Sequence, residues 1–174
     1  EMQFMFIRSK RKQLESAENR VMEVISEIKA KKKHKIIPKV KYFEGVDGII
    51  KLYEDTLTAK DTIHAYGNFN AELSYLGDYI NEYWQKRSQK GIKLIGLVPD
   101  DEINRKMAEQ TNKEHKRETY FYPKEYASPL EIDVYDNKLV FFSYAEKLGI
   151  MIESDVIADT FRNILKLSRN SATE

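Results

Sequence analysis

The 174-residue sequence contains no cysteine. That removes disulfide bridges, thiolate zinc sites and cysteine nucleophiles together, and it agrees with a reducing, cytoplasmic setting. No apolar run approaches the ~20 residues needed to span a bilayer, so no transmembrane helix and no membrane partner is expected. The N-terminal EMQFMFIRSKRK has neither the apolar stretch nor the small-residue cleavage site of a secretory signal. There are three histidines, His34, His64 and His115, and their spacing suits no metal; neither a metal nor a cofactor is expected. The seven glycines stand singly, mostly at element ends, so no phosphate-cradling glycine loop is present. There is no Gly-x-Ser-x-Gly elbow. The acidic pairs Glu54/Asp55 and Asp100/Asp101 sit on a helix surface and at a helix start, where carboxylates suit the dipole without catalysing anything.

What is present is an uneven charge distribution. Residues 1–41 hold 12 Lys/Arg against 5 Asp/Glu, and residues 42–174 hold 17 against 23. A basic arm on an acidic body places any anionic partner, such as nucleic acid, at the arm; a solvated helix ending in the lysine-rich KAKKKHK is the plainer reading. Residues 1–33 lack Pro and Gly and read as one long helix. Leu14, Ala17, Val21, Val24 and Ile28 follow steps of three and four, a narrow seam of the coiled-coil kind that predicts dimerisation. The same seam would equally serve to pack the helix on its own domain. The chain begins at Glu1 instead of Met, which predicts a longer parent protein.

After Pro38 the body alternates. Val40–Phe43 reads as a strand, and Val46, Ile49, Ile50, Tyr53 and Leu57 as one helix face. Strand Thr62–Tyr66 ends at Gly67. Asn70 is the expected N-cap of a single helix carrying Leu73, Leu76, Ile80 and Trp84 inward and closed by Gly91. The near-continuous apolar Ile92–Val98 reads as a strand buried on both faces. A charged helix around Glu102–His115, strand Glu118–Tyr122 and strand Gly149–Glu153 follow, then a last helix with Ile157, Phe161, Ile164 and Leu165 inward. PLEIDVYDNKLVFFSY (129–144) is a hairpin turning at Asp136-Asn137, with Ile132, Val134, Leu139 and Phe141 toward the core. The strand–helix–strand–helix–strand start implies a parallel section, and the late strands imply antiparallel pairing. The predicted fold class is α/β, a mixed sheet flanked by helices. It divides into residues 1–36 (dimerisation helix and basic linker), 37–169 (effector domain) and 170–174 (tail).

KVKYFEGVDGIIKLYEDTL (39–57), the strand ending at Gly67, KGIKLIGLVPD (90–100), the hairpin and LGIMIESDVIADTFRNIL (148–165) together resemble the C-terminal domain of TrmB-like transcriptional regulators. These domains look like half of a phospholipase-D-type fold. Active enzymes of that type carry His-x-Lys, four residues, then Asp, on the strand into this hairpin. With Asp136 placed on that aspartate, Pro129 falls on the histidine and Glu131 on the lysine. The resemblance therefore implies a non-catalytic use of the fold: a dimer whose separate N-terminal winged helix-turn-helix contacts DNA and whose C-terminal domain senses a small, sugar-like effector. Ligands of open α/β sheets collect beyond the strands' carboxyl ends, which makes Gly67, Asn68, Asp100 and Tyr122 the candidate ligand residues, with Tyr126 a further aromatic. Each is otherwise a turn residue, a cap or a surface aromatic. The alternatives are a purely structural dimerisation module, or a phosphodiesterase of the phospholipase D type.

Overall fold

A computed structural model of the chain describes residues 18–24 and 37–172. The chain divides into two units, Glu1–Ile37 and Pro38–Glu174. In the first, residues 18–24 are helical (α1), with Val21 57% and Val24 54% exposed. Leu14, Ala17 and Ile28, the rest of the expected seam, lie outside the described residues.

The second unit runs β1 (Lys39–Glu44), α2 (Gly45–Thr56), β2 (Ile63–Tyr66), α3 (Phe69–Leu76), α4 (Asp78–Gln89), β3 (Leu94–Pro99), α5 (Glu102–Glu114), β4 (Arg117–Tyr122), β5 (Leu130–Tyr135), β6 (Lys138–Ser143), β7 (Leu148–Glu153) and α6 (Asp155–Asn170). These strands form one mixed sheet of seven in the order β1-β7-β6-β5-β2-β3-β4. The parallel section is β2–β3–β4. The sequence places β1 beside it, but β1 lies at the far edge, antiparallel to β7. The four antiparallel steps between β1 and β2 leave the two pointing the same way, so the strand–helix–strand reading of direction holds while adjacency does not.

Alternation sorts the sheet into two cores. Tyr135, Val140, Phe142 and Met151 face α2–α5, in a core with Leu52, Tyr53, Ile80 and Trp84. Ile132, Val134, Leu139 and Phe141 face α6, with Ala158, Phe161 and Leu165. Ile164 is exposed, contrary to its expected inward place; Ala158, wholly buried, takes the contact. The single helix expected over 70–91 is two. Gly77, at φ 55°, breaks it, and the Gly77 N–H closes α3 on the Leu73 carbonyl. The cap of α3 is Asn68 and not Asn70: the Asn68 side chain accepts the Asn70 N–H at 3.0 Å. In the β5–β6 turn Asp136 alone takes positive φ, at 45°.

Candidate functional site

The carboxyl ends of β2, β3 and β4 meet at one edge of the unit, and three of the four candidate ligand residues follow a strand there. The Gly67 N–H donates to the Leu97 carbonyl at 3.0 Å, and the Asp100 N–H to the Tyr122 carbonyl at 2.8 Å. The side chains of Asn68 and Asp100 are engaged by the chain itself, whereas the buried Tyr122 hydroxyl has no hydrogen-bond partner among the described residues. Asn68 caps α3. Asp100 holds Arg105 at two points, 2.6 and 3.0 Å, and that guanidinium keeps its carboxyl below the ordinary range. Tyr122 stacks on Tyr66, centroids 4.8 Å apart, while Tyr66 donates to the Tyr126 carbonyl. Asp101 caps α5 and accepts from Asn104, whose Oδ1 receives the Phe69 N–H at 3.1 Å. A cap network thus ties together the starts of α3 and α5.

The more unusual chemistry lies one layer inward, on β5. Leu130, Ile132 and Val134 point to α6, so Glu131, Asp133 and Tyr135 point to the opposite core. That alternation was legible in the hairpin, but the burial of its polar half was not, because only tertiary packing covers the second face. Glu131 accepts from Tyr53 Oη at 2.7 Å and from Tyr144 Oη. Burial pushes its carboxyl well above the ordinary range, and Glu72 and Asp133 add to the push against the two hydroxyl donors. Asp133 is 0% exposed, and neither of its oxygens has a hydrogen-bond partner among the described residues. Burial, with Glu72 nearby, raises it to about 7, opposed by Arg117 and Arg87. Arg87 is itself wholly buried and lowered to about 10 by burial. It donates to the Ile92 and His115 carbonyls at 2.7 Å.

Small residues make room for this cluster. Asp133 is in register with Ala65, Ala65 with Gly96, and Gly96 with Thr119. A Cβ on Gly96 would stand 2.8 Å from an Arg117 Nη, and one on Gly67 would stand 3.2 Å from Glu72 Oε1. Three carboxyls and two guanidiniums therefore share a core that no described ion pair within it neutralises. Pro129 precedes β5. His64 lies on the other face of the sheet, lowered to about 4 by burial and by the cations Lys166, Arg162 and Arg169 of α6. Among the described residues no three His, Asp or Glu side chains are placed to hold a metal ion. No described helix is long and apolar enough to cross a membrane.

No family model matches the sequence, and no curated protein matches it significantly. Solved structures do. TrmBL2, an archaeal chromatin protein that binds DNA, is 16% identical with a TM-score of 0.57, over 95% of this chain and 66% of its own. NucT from Helicobacter pylori is 11% identical with a TM-score of 0.61, over 79% of this chain and 99% of its own. Nuc from Salmonella typhimurium, a phospholipase D family member, is 12% identical with a TM-score of 0.59, over 78% and 97%. At such identities the likeness is one of fold, and the body of this chain, an α/β unit on a mixed seven-stranded sheet, has the phospholipase-D-like fold.

Proposed function

We propose that the chain is the dimerisation and ligand-sensing part of a TrmB-like DNA-binding regulator and that it performs no phosphodiester chemistry. The observation that carries this reading is what stands at the catalytic positions. Phosphoryl transfer needs a nucleophile aimed at phosphorus and cations around the phosphoryl oxygens. With Asp136 placed on the enzymes' aspartate, Pro129 takes the nucleophile's place, and Glu131, a buried carboxyl held by Tyr53 and Tyr144, takes that of the phosphate clamp. A carboxylate there would repel phosphate, and a protonated one is sealed from it. The fold shared with a DNA-binding chromatin protein and the basic arm support an association with nucleic acid, through a winged helix-turn-helix outside this sequence.

The test uses the purified full chain. Light scattering is expected to give the mass of two chains. Bis(p-nitrophenyl) phosphate is expected to remain unhydrolysed, and duplex DNA to bind weakly, without sequence preference and with strong salt dependence. A monomer, or turnover that disappears in His64→Ala, refutes the reading. A structural module without a ligand is the second reading, favoured by the engagement of Asn68 and Asp100 with the chain's own groups. A thermal-shift screen of sugars and nucleotides separates the two, since a ligand that binds only the folded state raises the melting temperature.

A further inference from the structure

A groove of about 560 Å³ runs between α5 and β4, the strand at the opposite edge of the sheet from β1. That volume suits a small molecule. Its donors are set by a short chain of hydrogen bonds. The Arg117 Nε–H donates to Thr119 Oγ at 3.3 Å. Arginine has only donors, so the hydroxyl accepts there and directs its own proton elsewhere. It donates to Asn112 Oδ1 at 2.8 Å, and the Asn112 amide N–H groups have no hydrogen-bond partner among the described residues. The terminal N–H groups of Arg117 have no hydrogen-bond partner among the described residues, although this side chain is only 7% exposed and stacks on Phe69 at 4.1 Å. None of the fully buried polar atoms without a partner among the described residues belongs to Arg117, so its unused donors are open to solvent at the groove.

The other end of the groove is flat and cationic. The two-point pair to Asp100 holds Arg105 over the Phe121 ring at 4.3 Å and leaves its second Nη without a hydrogen-bond partner among the described residues. Arg105 and Asn112 are seven residues apart on one helix, which separates the two ends by ~10 Å. The carboxylates lining the groove are already engaged: Glu109 by Lys113 at 3.3 Å and Glu118 by Lys93 at 2.5 Å. Glu72 and Asp133 act on Arg117 from the interior side without forming an ion pair with it.

We propose that the α5–β4 groove binds a small molecule through an oxyanion, phosphate or carboxylate, held by the Arg117 terminal N–H groups and the Asn112 amide, with Arg105 as a stacking face for the rest of the ligand. This site is distinct from the strand-end residues and does not depend on a regulatory role. The test titrates phenyl phosphate and benzoate into the full chain at fixed ionic strength, read by calorimetry and amide NMR. At least one probe is expected to saturate, with shifts concentrated at Asn112 and Arg117–Phe121; which one does so identifies phosphate or carboxylate. Asn112→Asp, an exposed change, is expected to weaken binding about tenfold or more. Arg105→Gln is expected to weaken the aromatic probe while inorganic phosphate binds as before. Saturation by neither probe, a footprint elsewhere, or unchanged affinity in Asn112→Asp overturns the proposal. A positive result stands even where the dimer and DNA measurements refute the regulatory reading, because it is read on the folded chain alone.

Discussion

Asp133 is the residue whose neighbourhood makes the sharpest demand. Its carboxyl faces Glu131 on its own strand, Glu72 from α3, Arg87 and Tyr83 from α4, and Arg117 from β4. A buried acid raised to about 7 binds its proton more tightly folded than unfolded, where it titrates near 3.8. Its contribution is therefore full below pH 3.8 and is lost as pH rises through 7. Asp133→Asn should remove that slope and make the protein more stable than wild type at pH 8 by on the order of 2–4 kcal/mol, with little difference at pH 4. Denaturant midpoints across pH 4–8 measure it; parallel profiles for the two proteins would count against the buried-proton account. Glu131→Ala removes the acceptor shared by the Tyr53 and Tyr144 hydroxyls, leaving them only their bond to each other, and should cost about 1–3 kcal/mol by the same measurement. At this scale the sequence was half informative. PLEIDVYD shows which residues alternate, but a carboxylate between two apolar residues reads as solvent-facing until a helix is known to cover it. The tyrosines that hold Glu131 come from 78 residues upstream and 13 downstream, a pairing no local pattern announces.

Among the elements, α2 packs tightly against β7. A Cβ built on Gly149 of β7 would stand 2.1 Å from Leu52 Cδ1, so the helix rests directly on bare backbone. Gly149→Ala should cost about 1–3 kcal/mol by forcing α2 outward, measured as a lower denaturant midpoint. Leu52→Ala in the same chain should offset part of that strain, a coupling that a double-mutant cycle resolves. The helices were largely legible, because apolar periodicity, Gly91 and the acidic start of α5 mark them. The misplaced boundary at Asn68–Gly77 has a physical cause. Leu73, Leu76, Ile80 and Trp84 keep helical spacing across the break, so the pattern is continuous where the backbone is not. The order of strands was beyond reach for a similar reason: adjacency is decided by how helices cover the two faces, and β1 carries no mark of its partner.

For the whole molecule, the separation of charge dominates. The cations concentrated in residues 1–41 should supply the chain's non-specific affinity for duplex DNA. Replacing Lys31, Lys32, Lys33 and Lys35 with Ser should lower that affinity by about tenfold or more at low salt and flatten its logarithmic salt dependence. The acidic body alone should not bind. The position of β1 carries a consequence of a different kind, for the order of events during synthesis. The first strand of the sheet pairs with the last, and Lys41 meets Glu153 across 112 residues of chain. Contacts so distant in sequence slow folding, because the loop must close before they contribute. On the ribosome, β2 to β6 can pair while β1 waits with both edges open, next to a basic arm that has already emerged. Because its partner β7 emerges last, the sheet's first strand can be paired only at the end of synthesis.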